Sequence, residues 1–112
     1  MIETTILNYL NSAELSATVY TEQPKDKPSA FFTIERTGGL ETEHIKESTF
    51  AIQSYAPSMY QAANMNEEIK EVMKTAITLP EISRVQLNSD YNFTDTSTKT
   101  YRYQAVFVVT HY

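Results

Sequence analysis

The sequence predicts an α+β fold: a mostly antiparallel four- to five-stranded sheet with one long and one short helix packed on one face. Three observations carry this. The stretch from Ser58 to Ile77 repeats apolar residues at spacings of three and four, the helical period. Several other stretches alternate apolar and polar residues, the strand period. The segments follow one another as α-β-β-β-α-β-β, an order that builds a two-layer sandwich of helices on a sheet. With 112 residues, 41% of them hydrophobic and 12% aromatic, the chain has enough material for one such core. A single domain spanning 1–112 is expected.

Taken in order, Ile2–Leu10 gathers Ile2, Ile6, Leu7 and Leu10, with Tyr9 beside them, into two turns of amphipathic helix. Asn11 and Ser12 are expected to end it. Leu15–Tyr20 reads as a short strand, and Glu22–Ser29, with two prolines, as a loop. Ala30–Thr37 is a strand with Phe32 and Ile34 on one face and Phe31 and Thr33 on the other. Gly38-Gly39 reads as a turn, and the polar stretch Leu40–Glu47 as the extended tip of an antiparallel hairpin. The returning strand runs to Tyr55, with Phe50 and Ile52 on one face and Thr49, Ala51 and Gln53 on the other. Pro57 stops it.

Ser58, with Gln61 three residues on, makes a capping box that starts the long helix. Its stripe is Ala62, Met65, Ile69, Val72, Met73 and Ala76. Its other side carries Glu67, Glu68, Lys70, Glu71 and Lys74, with Glu67–Lys70 and Glu71–Lys74 at (i, i+3) spacing. Ile82–Leu87 is a further strand, and Asn88–Thr100 reads as a polar loop. Tyr101–Tyr112 is the last strand. It sets Tyr101, Tyr103, Ala105, Phe107 and Val109 on one face and Arg102, Gln104, Val106, Val108 and Thr110 on the other. Apolar residues on both faces suggest a central strand, or one covered by a partner chain.

The net charge is −5, which disfavours binding to a phosphate backbone. There is no cysteine, so disulfides and thiolate chemistry are excluded. Only Gly38 and Gly39 are glycines, too few for a phosphate loop. The N-terminal stretch lacks the pattern of a signal peptide or a membrane span, and a soluble intracellular protein is expected. His44 and His111 are expected to be two solvated side chains rather than metal ligands. Asp90 and Asp95, with Asn88 and Asn92, read as turn formers rather than a calcium loop. No serine sits in a nucleophile elbow, and the glutamates of the long helix read as a solvated face. Eight tyrosines are unusual for this length. They suit either an interface or a half-exposed sheet face, and both readings stand.

Across nearly its whole length the chain resembles the tail-terminator (tail-completion) proteins of long-tailed, non-contractile bacteriophages. The likeness lies in the short first helix and proline-bearing loop, then AFFTIERTGG, STFAIQSYA and the helix opening PSMYQAANMNEEIKEVM. It continues to Asp95 and the aromatic-Arg start of the last strand, Tyr101-Arg102-Tyr103-Gln104-Ala105-Val106. The resemblance implies a non-enzymatic virion protein, assembled in the host cytoplasm. It would form a six-fold ring on the head-proximal end of the tail tube, stop tube growth and join tail to head. The implied partners are further copies of the chain, the tube protein and a head-completion or connector protein. DNA would pass through the ring without specific binding; no cofactor, metal or membrane is implied. The implied contact elements are Leu40–Glu47 and Asn88–Thr100, with Leu40, Glu41, Glu43, His44, Lys46, Tyr91, Phe93, Asp95 and Arg102 as candidate contact residues. Two alternatives remain: a connector protein of the phage neck, and a small-molecule-binding α+β domain.

Overall fold

The computed structural model describes residues 1–94 and 101–112. Helix α1 (Ile2–Ser12) is followed by strands β1 (Val19–Tyr20), β2 (Phe31–Thr42) and β3 (Ile45–Ala56). Helix α2 (Met59–Thr75) ends in a single 3-10 turn, and strands β4 (Ile82–Asn92) and β5 (Tyr101–His111) close the chain. The sheet order is β1-β2-β3-β5-β4. Strand β1 runs parallel to β2, and every other pairing is antiparallel. The fold is thus α+β, with an open five-stranded mixed sheet.

Both helices lie on one face. Ile6 and Leu10 of α1 and Ala62, Met65, Ile69 and Met73 of α2 join Phe32, Ile34, Phe50, Ile52, Phe107 and Val109 in one buried cluster. Alternation explains the choice of face: Ile34 and Ile52, and Phe50 and Phe107, are register partners and so point the same way. The stripe on α2 is buried as expected, apart from the half-buried Val72. Ser58 caps the helix by accepting from the Gln61 N–H at 3.2 Å. Glu67–Lys70 and Glu71–Lys74 close at 2.6 and 3.0 Å. Strand β5 is interior, between β3 and β4, as its apolar faces predicted.

Five expectations are corrected. First, α1 runs on through Asn11 and Ser12, the Ser12 hydroxyl bonding back to the Tyr9 carbonyl at 2.7 Å. Second, Leu15–Tyr20 shrinks to a two-residue strand. The Glu68 carboxylate takes both the N–H and the hydroxyl of Ser16, so that backbone is spent on α2 rather than on a ladder. Glu68 is therefore a tether, not part of a solvated face.

Third, Gly38-Gly39 is not the hairpin turn. The β2–β3 ladder continues past it to Thr42 and Ile45, with a bulge between Arg36 and Gly38. The turn is made by Glu43 and His44, at φ of 50° and 70°, the left-handed pair that a two-residue type I′ turn demands. Gly39 is required for closeness instead. A Cβ there would lie 2.9 Å from the Glu47 carbonyl oxygen and against the Arg36 guanidinium. Fourth, Asn88–Thr100 is not all loop. Strand β4 continues to Asn92 because β5 offers it partners as far as Tyr103, and Asn88 is bulged out to keep register. Fifth, His111 is not solvated. It is 5% exposed, with Nε2 2.8 Å from the hydroxyl of the fully buried Ser48.

Candidate interaction surfaces

The face of the sheet away from the helices carries two regions of interest, one at each end. The first is the tip of the β2–β3 hairpin. Leu40, Thr42, Ile45 and Glu47 share the open face of the arm, where Leu40 is 70% and Ile45 47% exposed. With Glu43 they line a shallow depression. Glu41 and Lys46 are register partners on the opposite face. They border a wider polar depression of about 640 Å³ with Arg36, Ser48, His111 and the first turn of α1. His44 stays exposed in the turn itself.

The second region crosses the other end of the sheet. The Arg102 guanidinium lies 4.2 Å from the centre of the Phe93 ring and 5.8 Å from that of Tyr55, two cation–π contacts. Its Nε donates to the Phe93 carbonyl at 2.7 Å and its Nη1 to the Tyr55 hydroxyl at 3.3 Å. Tyr91 meets Phe93 edge to face, centroids 5.8 Å apart. Tyr55 stacks on Phe31 at 4.7 Å, and Phe31 meets Tyr20 edge to face at 6.3 Å. A row of rings and one guanidinium therefore spans the sheet from β1 to the end of β4.

Beside this row runs a chain of polar side chains. The Thr33 hydroxyl donates to Gln53 Oε1 at 2.5 Å, Gln53 Nε2 donates to Gln104 Oε1 at 2.8 Å, and Gln104 Nε2 donates to the Tyr91 hydroxyl. Each link joins register partners on neighbouring strands, in the order β2, β3, β5, β4. All donors point the same way, so the bonds polarise one another. Gln53, only 7% exposed, also donates to Glu35 at 3.4 Å. Between the two regions, Val106 and Val108 are half-buried on the open face.

The nine candidate contact residues thus separate. Leu40, Glu41, Glu43, His44 and Lys46 form the arm tip, on both of its faces. Tyr91, Phe93 and Arg102 form one cluster, and Asp95 lies outside the described residues. Along β3 the regions are about 30 Å apart, at about 3.3 Å per residue from Lys46 to Tyr55. The sequence reading missed Tyr20, Phe31, Tyr55, Gln53 and Gln104. Alternation assigns the last three to non-core faces, but only register reveals that they line up.

Among the described residues, no group of three or more His, Asp or Glu side chains could hold a metal ion. Ser48 and His111 touch at the floor of the polar depression, Ser48 fully buried and His111 5% exposed. Among the described residues, the one perturbed titration is that of Lys70, raised by its hydrogen bonds to Glu67 and, across to β4, to Asp90 at 2.9 Å. That ties α2 to the sheet edge. Among the described residues, no helix is long and apolar enough to cross a membrane.

The architecture defines the class: an α+β domain with both helices on one face of the sheet and none on the other, where Gln23 reaches over from the loop after β1 to donate to the Tyr55 hydroxyl. Compared with known families and curated proteins, the chain matches no family model and is significantly similar to no curated protein.

Proposed function

We propose that this chain is a non-enzymatic structural protein of a long-tailed phage, forming a ring that caps the head-proximal end of the tail tube. There it stops tube growth and joins the tail to the head. The observation that carries the reading is the two-ended layout. A protein held between two layers needs a contact region at each end. The arm tip, with exposed Leu40 and Ile45, and the Tyr55–Arg102–Phe93–Tyr91 cluster meet that need at opposite ends of a molecule 45 Å long and about 25 Å across. Aromatic and arginine side chains are the residues that anchor protein contacts. The resemblance of the sequence to tail terminators supplies the identity of the two layers, tube protein and head-completion protein, and the six-fold ring.

The test is electron microscopy of tubes assembled from the cognate tube protein with and without this chain. Irregular, overlong tubes without it and tubes of fixed length with it are expected. Equal lengths in both preparations overturn the reading and turn attention to the connector side of the neck, where binding to DNA-filled heads would be measured.

A further inference from the structure

The sheet has two open edges, and they are not alike. On one side, β1 pairs with β2 only at Phe32 and Thr33. The outer side of β1 is itself closed by Asn11, whose side chain accepts from the Val19 N–H at 2.9 Å and donates to the Val19 carbonyl at 3.0 Å. Protection stops there: from Ile34 to Thr42 the outer side of β2 has no strand partner among the described residues. On the other side, all 11 residues of β4 present an outer edge with no strand partner among the described residues. Natural sheets commonly block such edges with proline or lysine. Neither β2 (FFTIERTGGLET) nor β4 (ISRVQLNSDYN) contains either residue, and the bulges that interrupt them, between Arg36 and Gly38, Ile82 and Arg84, and Leu87 and Ser89, leave Gly38–Thr42 and Arg84–Leu87 as regular stretches of open edge.

Strand direction then decides how the edges can meet. The strands β2, β3, β5 and β4 alternate in direction, so β2 and β4 run opposite ways. Copies related head to tail, by rotation about an axis along the strands, keep that alternation across their boundary. We propose that copies of this chain join edge to edge, β4 of one pairing antiparallel with the Ile34–Thr42 half of β2 in the next. One continuous sheet then runs through the assembly. A two-fold pairing of β4 with β4 would also be antiparallel, but it leaves the β2 edge bare in both copies. The head-to-tail pairing satisfies both edges at once, and a heterologous contact of this kind closes into a ring when its rotation permits. The edge pairing rests on topology; its closure into a ring rests on the capping function proposed above.

The chain has no cysteine, so thiol chemistry can be placed at will. Gly38→Cys and Gln86→Cys put one thiol on each edge, both on the open face by register with Thr49 and Val108. Both variants are checked for native circular dichroism. They are then treated with a short bis-maleimide, free in solution up to the solubility limit and bound to tail tubes. The expected result is a cross-linked dimer from the mixture of the two variants and none from either alone. The double variant should give a ladder of oligomers. Self-cross-linking of Gln86→Cys, or no cross-link in the mixture in either setting, overturns the proposal. Tube length scored on the same samples separates the two ideas. Length control without cross-links keeps the capping function and sinks the edge pairing, and cross-links without length control do the reverse.

Discussion

Replacing Gln53 by Ala removes the centre of the polar row while leaving the hydrophobic core untouched. Two bonds are lost at good distance, from Thr33 at 2.5 Å and to Gln104 at 2.8 Å; the 3.4 Å contact with Glu35 adds little. At about 1 kcal/mol net for each of the two, the expected loss is about 2 kcal/mol. Unfolding entropy of about 2.1 cal/mol/K per residue over 112 residues gives about 0.24 kcal/mol per kelvin, so Tm falls by about 8 °C. The assay is thermal unfolding by circular dichroism, repeated for Gln104→Ala and for the double variant. Because Gln53 and Gln104 are direct partners, the cycle should return a coupling of about 1 kcal/mol. A coupling near zero, with Tm lowered by less than about 3 °C, would mean that water replaces the lost partners and that the row contributes nothing to the sheet.

Three further outcomes follow from particular contacts. Gly39→Ala, which drives a Cβ to 2.9 Å from the Glu47 carbonyl, should cost about 1–2 kcal/mol, whereas Gly38→Ala faces open space and should be neutral or slightly stabilising. Equal denaturant midpoints for the two variants would refute the close-approach argument. Glu43→Asn combined with His44→Gly, which suits the two left-handed φ values, should stabilise the hairpin by about 1 kcal/mol; an unchanged or lower Tm would sink that account of the turn. The pKa of Lys70 is raised by hydrogen bonds to Glu67 and Asp90, so its ion pairs contribute fully below the unfolded-state pKa, about 10.4. That contribution is lost as pH climbs through the folded value. The Tm gap between the wild type and Lys70→Met should be flat from about pH 7 to pH 10 and then narrow; a gap that persists unchanged to the alkaline limit of folding would contradict the linkage.

The core of this fold was legible because it obeys period. Ala62, Met65, Ile69 and Met73 recur at helical spacing, and Phe50–Ile52 and Ala105–Phe107–Val109 alternate, so a sequence-local rule suffices to place them. What escaped was decided by partners distant in sequence. Gly38-Gly39 has the composition of a turn, yet β3 pairs straight across it and Glu43-His44 takes the strain. Asn88–Asn92 has the composition of a loop, yet β5 recruits it into the ladder. His111 looks terminal and solvated, yet alternation with Val109 turns it under the sheet onto Ser48. For the candidate contacts, the arm tip followed from its polarity and position. The aromatic–arginine row did not, because Tyr20, Phe31, Tyr55 and Arg102 meet only through register across four strands.

The polar row also determines what this face can hold. Gln53 spends its amide carbonyl on Thr33 and its amide protons on Gln104 and Glu35, all within the plane of the sheet. A side chain occupied sideways has little to extend upward. Beside the rings, therefore, this face offers a strip of largely buried amides that are already satisfied, a surface with low grip. Adhesion would have to come from the flanking rings, so the face is divided into a band that holds and a band that lets slide.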